Sequence, residues 1–395
     1  MKILFLSYYF EPDLSAGSFR ATALIKELSE RLPKNSEVDV ITTQPNRYHT
    51  FKSDSLAIEK RENISIHRVQ LPNHKNGFFD QALTFRHYAS YVKKIAKKNR
   101  YNMVVATSSR LMTAVLASYI ARKQKSKLYL DIRDIFVDTI SGVFPLYITA
   151  WAVPIFGALE KYAIKKADHV NLVSEGFKTY FDERYPTATF SYYTNGIDDV
   201  FMNYQWPTNL EENSERIILY AGNMGDGQGL HLIVPELAQS LGKRYKFRLI
   251  GDGGKRSLLV SKINELELDN VEILPPVKRE TLLTEYAKAH ILFLHLNDVP
   301  AFERVLPSKL FEYAATGKPI LAGVGGYAAK FVSSQIDNAA VFNPCNVQQA
   351  VQRIELLSSE IQVRERFLSK YSRKAISRGL VSSILQPNSS NNGLC

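Results

Sequence analysis

Short apolar runs alternate with amphipathic stretches along nearly the whole chain, and this pattern restarts once near the middle. The first series runs KILFLSYYF, the helical SFRATALIKELSERL, EVDVITT, NISIHRVQ, MVVATS and KLYLDIRD, with further helical stretches between them. Runs of four to eight apolar residues read as buried strands, and strands separated by helices predict a doubly wound, mostly parallel α/β sheet. After the polar, patternless WPTNLEENSE the series begins again with RIILYAG, HLIVPELAQSLG, KFRLIGDGGKR, VEILPPV, KRETLLTEYAKA, ILFLHL and KPILAGVGG. A length of 395 residues holds two domains of ordinary size. The expectation is two α/β domains facing each other, residues 1–199 and 200–374. A terminal helix over 375–386 is read as returning to the first domain, and 387–395 as a disordered tail.

Composition narrows the class. With 45% hydrophobic and 23% charged residues the chain reads as folded, with large cores. Its two cysteines, Cys345 and Cys395, match no ligand spacing, which argues against a disulfide framework or a structural zinc and fits a reducing cytoplasm. The histidines show no paired spacing. His231, His290 and His295 lie in or beside apolar runs, where packed imidazoles are expected rather than metal ligands. No signal peptide is expected, because Glu11, Pro12 and Asp13 break the first apolar run.

The net charge of +11 is concentrated in residues 1–199, which hold 28 Lys+Arg against 20 Asp+Glu. A basic half points to an anionic partner: membrane lipid, a phosphate-bearing substrate or nucleic acid. Residues 78–100 read as a helix with Phe78, Phe85, Tyr88, Val92 and Ile95 on one stripe and a Lys-rich end. That pattern suits both a core helix and one lying on an anionic membrane. The uncharged segment 139–159 is interrupted by Gly142, Pro145, Pro154 and Gly157, so a buried or membrane-dipping helix is preferred to a span.

Three loops at strand ends carry the candidate chemistry. Gly17 in EPDLSAGSFR can admit a close approach before a helix, or simply make a turn. Gly222-Asn223-Met224-Gly225-Asp226-Gly227-Gln228-Gly229 can present amides to a diphosphate. It lacks the acidic partner of a dinucleotide fingerprint and the Gly-Lys-Ser/Thr of a P-loop. Gly251-Asp252-Gly253-Gly254-Lys255-Arg256 repeats the arrangement one unit later, with Lys255 or Arg256 in reach of phosphate, or with Asp252-Gly253 as a plain turn. Finally, PSKLFEYAATGKPI follows an apolar strand. Ser308 is expected to cap a short helix stopped by Gly317 and Pro319, with Lys309 to neutralise phosphate and Glu312 to accept from a ribose. The same stretch is also what an ordinary capped helix looks like.

In order and spacing, these stretches resemble the GT-B, family 4 retaining glycosyltransferases, over nearly the whole chain to about residue 385. DIRDIF and PSKLFEY are closest to the bacterial surface-polysaccharide branch, similar to fucosamine transferases of O-antigen and capsule assembly. The resemblance implies a GT-B fold, two Rossmann-like domains facing across a cleft. A nucleotide-sugar donor, UDP-linked, would be held by the second domain through Gly222, Asn223, Gly225, Gln228, Gly251, Val277, Ser308, Leu310 and Glu312. It implies an acceptor held by the first domain and Glu303 as a contact to donor-sugar hydroxyls. Glu303, Lys309 and Arg304 are read as catalytic, and Gly17, Arg133 and Asp134, at loop and strand ends, as the acceptor side. No cofactor or metal is implied. The acceptor would be a glycan or polyprenyl-diphosphate-linked saccharide at the inner face of the cytoplasmic membrane, with the protein attached peripherally and no nucleic-acid partner.

Two departures qualify the resemblance. The family's acidic pair is separated by seven residues, which would put an acid at 304; Arg304 stands there with Glu303 beside it. Asn223 and Gln228 are neutral where many relatives carry Arg and Lys, which leaves Arg304 and Lys309 to supply the charge. An Asp–Arg pair within DIRD can also be purely structural. A UDP-sugar 2-epimerase on the same architecture, a non-catalytic nucleotide-sugar or membrane-binding protein, and a nucleic-acid binder remain as alternatives. The first two are separated from a transferase by turnover without acceptor and by binding without turnover.

Overall fold

In the computed structural model, residues 1–13, 15–45, 55–72, 78–108, 110–138, 146–208 and 215–386 are described. The expected tail 387–395, the 139–145 part of the uncharged segment and residues 209–214 of the polar stretch lie outside them. The chain divides into two compact units. One comprises Met1–Asn195 with the segment beginning at Arg373, the other Gly196–Ser372. The first change of unit thus falls at Asn195/Gly196, where the sequence reading placed it after 199.

In the first unit the described strands form an eight-stranded sheet in the order β3-β4-β2-β1-β5-β6-β7-β8. They are β1 Lys2–Ser7, β2 Glu37–Thr43, β3 Ile58–Arg61, β4 Ile64–Val69, β5 Met103–Ser108, β6 Lys127–Ile132, β7 His169–Leu172 and β8 Phe190–Ser191. All pairs are parallel except β3 on β4, a hairpin that the apolar pattern did not reveal because β3, IEKR, is largely exposed at the sheet edge. Crossover helices α1 (Ala16–Arg31), α2 (Phe78–Lys98), α3 (Leu111–Gln124) and α4 (Leu146–Ile164) bury their apolar faces. Tyr88 and Val92 of α2 are fully buried, whereas its Lys93, Lys94, Lys97 and Lys98 are exposed. Periodicity therefore places the stripe inward and the lysines in water. The short helix α5 (Lys178–Arg184) follows in this unit, and α6 (Asp199–Met202) opens the second. Ser174 caps the turn before α5, accepting from Gly176 N.

The second unit has a six-stranded, all-parallel sheet ordered β11-β10-β9-β12-β13-β14. Its strands are β9 Arg216–Asn223, β10 Tyr245–Asp252, β11 Val271–Leu274, β12 Ile291–His295, β13 Ile320–Gly323 and β14 Ala339–Phe342. Helices α7 (Leu230–Leu241), α8 (Arg256–Glu265), α9 (Arg279–Lys288), α10 (Lys309–Ala315), α11 (Gly326–Gln335), α12 (Val347–Ile354) and α13 (Glu365–Tyr371) complete it. One core joins Ile218, Ile233, Leu237, Phe247, Leu249, Phe293 and Leu321 across strands and helices.

The last helix, α14 (Arg373–Leu385), belongs to the first unit. Its Leu380, Val381 and Ile384 join Ala21, Leu24, Ile25 and Leu28 of α1 in one cluster. Apolar residues one helical turn apart on both elements make that packing possible. Among the described residues no helix is long and apolar enough to cross a membrane.

Candidate active site

The carboxyl ends of β9, β10 and β12 converge on the second unit's loops. Parallel α/β sheets gather ligands at that edge. Register pairs Gly251 with Gly222 across β10 and β9. Both have left-handed φ, +148° and +150°, and a Cβ on Gly251 would collide with the Gly222 carbonyl. A Cβ on Gly222 would occupy the space that Cε and Nζ of Lys309 fill. Two glycines thus let two strands close and let a lysine from α10 lie across the end of β9. The Lys309 ammonium is 5.9 Å from the Tyr220 ring centroid, and Tyr220 donates its hydroxyl proton to Asn223 O at 2.6 Å.

Beyond Asn223 the chain makes a single 3-10 turn, Asp226–Gln228, before α7. Asn223 Nδ2 donates to Gln228 Oε1 at 2.7 Å, and Gly225 N donates to the same oxygen at 3.3 Å. Asn297 braces the turn from below: its Nδ2 donates to Asp226 O at 3.1 Å and its N to Gly227 O at 2.9 Å. The Phe302 ring lies against Gly227, 3.0 Å from where a Cβ would stand. Lys255, one of the two cations considered for phosphate, instead pairs with Asp226 at 3.4 Å.

α10 differs from its expected start. Ser308 is the residue before the helix, but it has helical φ/ψ and no side-chain capping bond. Leu310 N donates to Pro307 O and Phe311 N to Ser308 O, so the first turn closes on main-chain carbonyls and leaves the Ser308 hydroxyl out. The Ser308 cap is therefore corrected. Leu310 is fully buried in the core and holds the helix rather than lining an open surface. Gly317, φ +73°, ends the segment as expected. Glu312 accepts from the buried Tyr286 hydroxyl at 3.2 Å. Glu303 is exposed at a 3-10 turn, Pro300–Arg304, which also carries Arg304. Gly326, φ +53°, packs against the Glu303 main chain and leaves no room for a side chain there. Val277 lies half-buried in the loop between β11 and α9.

In the first unit Gly17 and Arg133 meet: Arg133 Nη1 is 2.6 Å from where a Gly17 Cβ would be. Asp134 is exposed next to it. The structural pair of the DIRD segment is Asp131 with Arg20, not two residues of the segment itself. Arg20 Nε and Nη2 each reach an Asp131 oxygen at 2.9 Å, and Thr107 and Asn171 donate to the same carboxylate. Burial would raise the Asp131 pKa, but Arg20 outweighs it and holds the carboxyl below its ordinary range. Burial and the repulsion of Arg20 lower the Arg133 guanidinium to about 10. Its buried Nε has no hydrogen-bond partner. Asp131 is matched by Arg20, and Arg133 stands near Asp134 and Arg373 as well.

Sequence reasoning passed over Arg110, which stacks 4.1 Å from the Tyr8 ring centroid and donates to Tyr9 Oη at 3.2 Å. Its place just after β5 was the available signal.

Residues 205–375, nearly all of the second unit, match the sequence family described as Glycosyl transferases group 1. The match covers less than half of the chain; with the curated relative named below, it supports a glycosyltransferase, and the solved structures show the GT-B fold. Among solved structures it is similar to the sucrose-phosphate synthase of Thermosynechococcus elongatus, with a TM-score of 0.73 at 14% identity over 99% of this chain and 100% of that one. It is also similar to Anabaena HepE in complex with UDP and glucose, with a TM-score of 0.71 at 16% identity over 98% and 100%. At such identities these likenesses establish the fold. A curated relative in Escherichia coli (strain K12), WcaI, a glycosyl transferase assigned to colanic acid biosynthesis, is 28% identical over 107 residues. That stretch is 27% of this chain and 26% of the relative.

Proposed function

We propose that the chain is a retaining glycosyltransferase that moves a hexosyl or N-acetylaminosugar unit from a UDP-linked donor to a glycan or polyprenyl-diphosphate-linked acceptor during bacterial surface-polysaccharide assembly. The observation that carries this reading is Lys309 lying over Gly222, beside the amide-bearing turn 225–229, within the domain that matches the family. An ammonium and main-chain N–H groups at the end of a parallel sheet suit a diphosphate. The UDP complex of HepE supports the choice of nucleotide.

In this mechanism the acceptor hydroxyl attacks the anomeric carbon from the face the diphosphate leaves. The bond from that carbon to the diphosphate oxygen breaks as the new glycosidic bond forms, and the hydroxyl proton passes to the departing phosphate. Lys309 and Arg304 stabilise the charge that develops on the leaving group. Such preorganised charge is commonly the largest single contribution, with one donor worth about 3 kcal/mol. Glu303 contacts donor-sugar hydroxyls and Glu312 the ribose, its carboxylate oriented by Tyr286. Gly222, Asn223, Gly225, Gln228, Gly251 and Val277 shape the donor's seat, and the Ser308–Leu310 main chain borders it. Gly17, Arg133 and Asp134 serve the acceptor, with the Arg133 guanidinium able to meet a phosphate-bearing carrier. The reaction uses no metal, so EDTA leaves its rate unchanged.

The protein attaches peripherally to the inner face of the cytoplasmic membrane. Trp151 and Ile155, one turn apart on α4, are 53% and 51% exposed. Lys93, Lys97, Lys98, Arg100 and Lys123 line a cavity of about 400 Å³ at the ends of α2 and α3. Exposed apolar side chains and a basic surface each favour anionic lipid.

A panel of nucleotide sugars tests the donor half without an acceptor: one UDP-sugar is hydrolysed slowly to UDP and free sugar. Epimerised UDP-sugar as the product, or no turnover of any nucleotide sugar, would overturn the reading.

A further inference from the structure

His295 ends β12 and is 1% exposed. An imidazole so placed has room only because residue 323 on the neighbouring strand β13 is glycine; a Cβ there would meet the ring. The ring lies against both Phe293 and Phe342, 6.0 Å from each between centroids. Both nitrogens are used. Nε2 is 3.0 Å from Cys345 N, a main-chain donor, so Nε2 must accept. Nδ1 therefore carries the proton and donates to Gln228 O at 2.7 Å. The partners' chemistry fixes the tautomer.

We propose that His295 is the positioning residue of the 225–229 turn, a neutral imidazole that fixes the Gln228 carbonyl and thereby the amides offered to the donor. The turn is otherwise short of constraints from its own sequence, since three of its five residues are glycines. Asn223 holds the Gln228 side chain, which accepts from the Gly225 amide, and Asn297 holds the middle. Gln228 O, immediately before the left-handed Gly229, is held by His295. On its other side His295 accepts from Cys345, a non-glycine residue at φ +60° in the loop after β14, and so joins the loops after β9 and β14, the outer two of four adjacent strands. A folded histidine in an apolar strand is ordinarily packing; a buried ring whose donor and acceptor each engage a different loop is a tether. The donor role rests on the reading of that turn as the diphosphate seat.

Two isosteric variants separate the two bonds. Asn places its amide nitrogen near imidazole Nδ1 and restores the bond to Gln228. Gln places its amide near Nε2 and restores only the bond to Cys345. Cooperative thermal unfolding confirms that His295→Asn, His295→Gln and His295→Ala each fold.

In the unliganded chain, amide exchange across 224–230 is expected to rise about tenfold in His295→Ala and His295→Gln, and to stay within about threefold of wild type in His295→Asn. UDP affinity and donor KM should follow the same ranking, with kcat changing less than KM. Equal exchange in all four proteins would overturn the tether. Ranked exchange with unchanged UDP affinity would overturn its role toward the donor. If wild type binds no UDP while exchange follows the ranking, the donor reading of the site falls and the tether stands.

Discussion

Asn223 and Gln228 close the glycine-rich turn on each other, amide nitrogen to amide oxygen at 2.7 Å. Where many relatives of the family it resembles carry two cations, this chain has a neutral pair whose donors and acceptors are partly spent internally. Lys309, entering from α10 over Gly222, brings positive charge to the same edge. Gln228→Glu keeps the accepting oxygen for Asn223 and Gly225 but adds an anion. Donor KM should rise about tenfold with little change in unfolding temperature, as one added like charge beside a phosphate costs on the order of 1–2 kcal/mol. Steady-state kinetics decides this, and an unchanged KM would place the diphosphate elsewhere.

The buried Arg20–Asp131 pair organises the first unit. It is bidentate, and Arg20 also donates to Tyr193 O and Thr194 O. Removing one member leaves the other charged and unmatched in the interior, which typically costs about 3–5 kcal/mol. Asp131→Asn should lower the first unit's stability by that order in urea unfolding, whereas Asp134→Asn, at an exposed position, should change it by less than about 0.5 kcal/mol.

Lys318 is fully buried, with Nζ donating to Ala287 O at 2.8 Å and Ala289 O at 2.6 Å. Burial lowers its pKa from 10.5 to about 8. Below pH 8 both folded and unfolded chains hold the proton, and the group adds no pH dependence. Between about 8 and 10.5 the unfolded chain binds the proton that the folded chain has released, so stability rises with pH. From pH 8 to 9.5 the unfolding free energy of wild type should gain about 1.5 kcal/mol relative to Lys318→Met. Denaturant titrations at both pH values measure it.

Attachment to anionic lipid predicts co-sedimentation with vesicles containing phosphatidylglycerol, weak binding to neutral vesicles, and release in about 0.5 M salt, where charge is screened within a few ångströms. Trp151→Ala with Ile155→Ala should weaken the binding severalfold. Equal recovery in the supernatant with both vesicle types would contradict attachment.

Much of this was legible in the chain, for identifiable reasons. Strands such as ILFLHL are apolar on both faces because both faces are covered, and Gly222 and Gly251 stand at their ends because two strands and a lysine meet there. Helix α2 could be drawn from its stripe, and its lysines are exposed as a solvated end would require. Long-range partners could not be read. Arg20 and Asp131 are 111 residues apart, and nothing local to either marks the pairing. His295 looked like packing because its apolar neighbours are visible in sequence, while the two carbonyl and amide partners are main-chain groups that any residue supplies. The Ser308 cap failed because the chain enters α10 already in helical geometry.

The central claim is that the second unit seats a nucleoside diphosphate under Lys309. Isothermal titration of UDP into wild type and Lys309→Ala measures it most directly. The account predicts one saturable site per chain in wild type, weakened at least tenfold in Lys309→Ala, with unfolding temperature unchanged. Equal affinity in the two proteins, or no binding of UDP or any other nucleoside diphosphate to wild type, would contradict it.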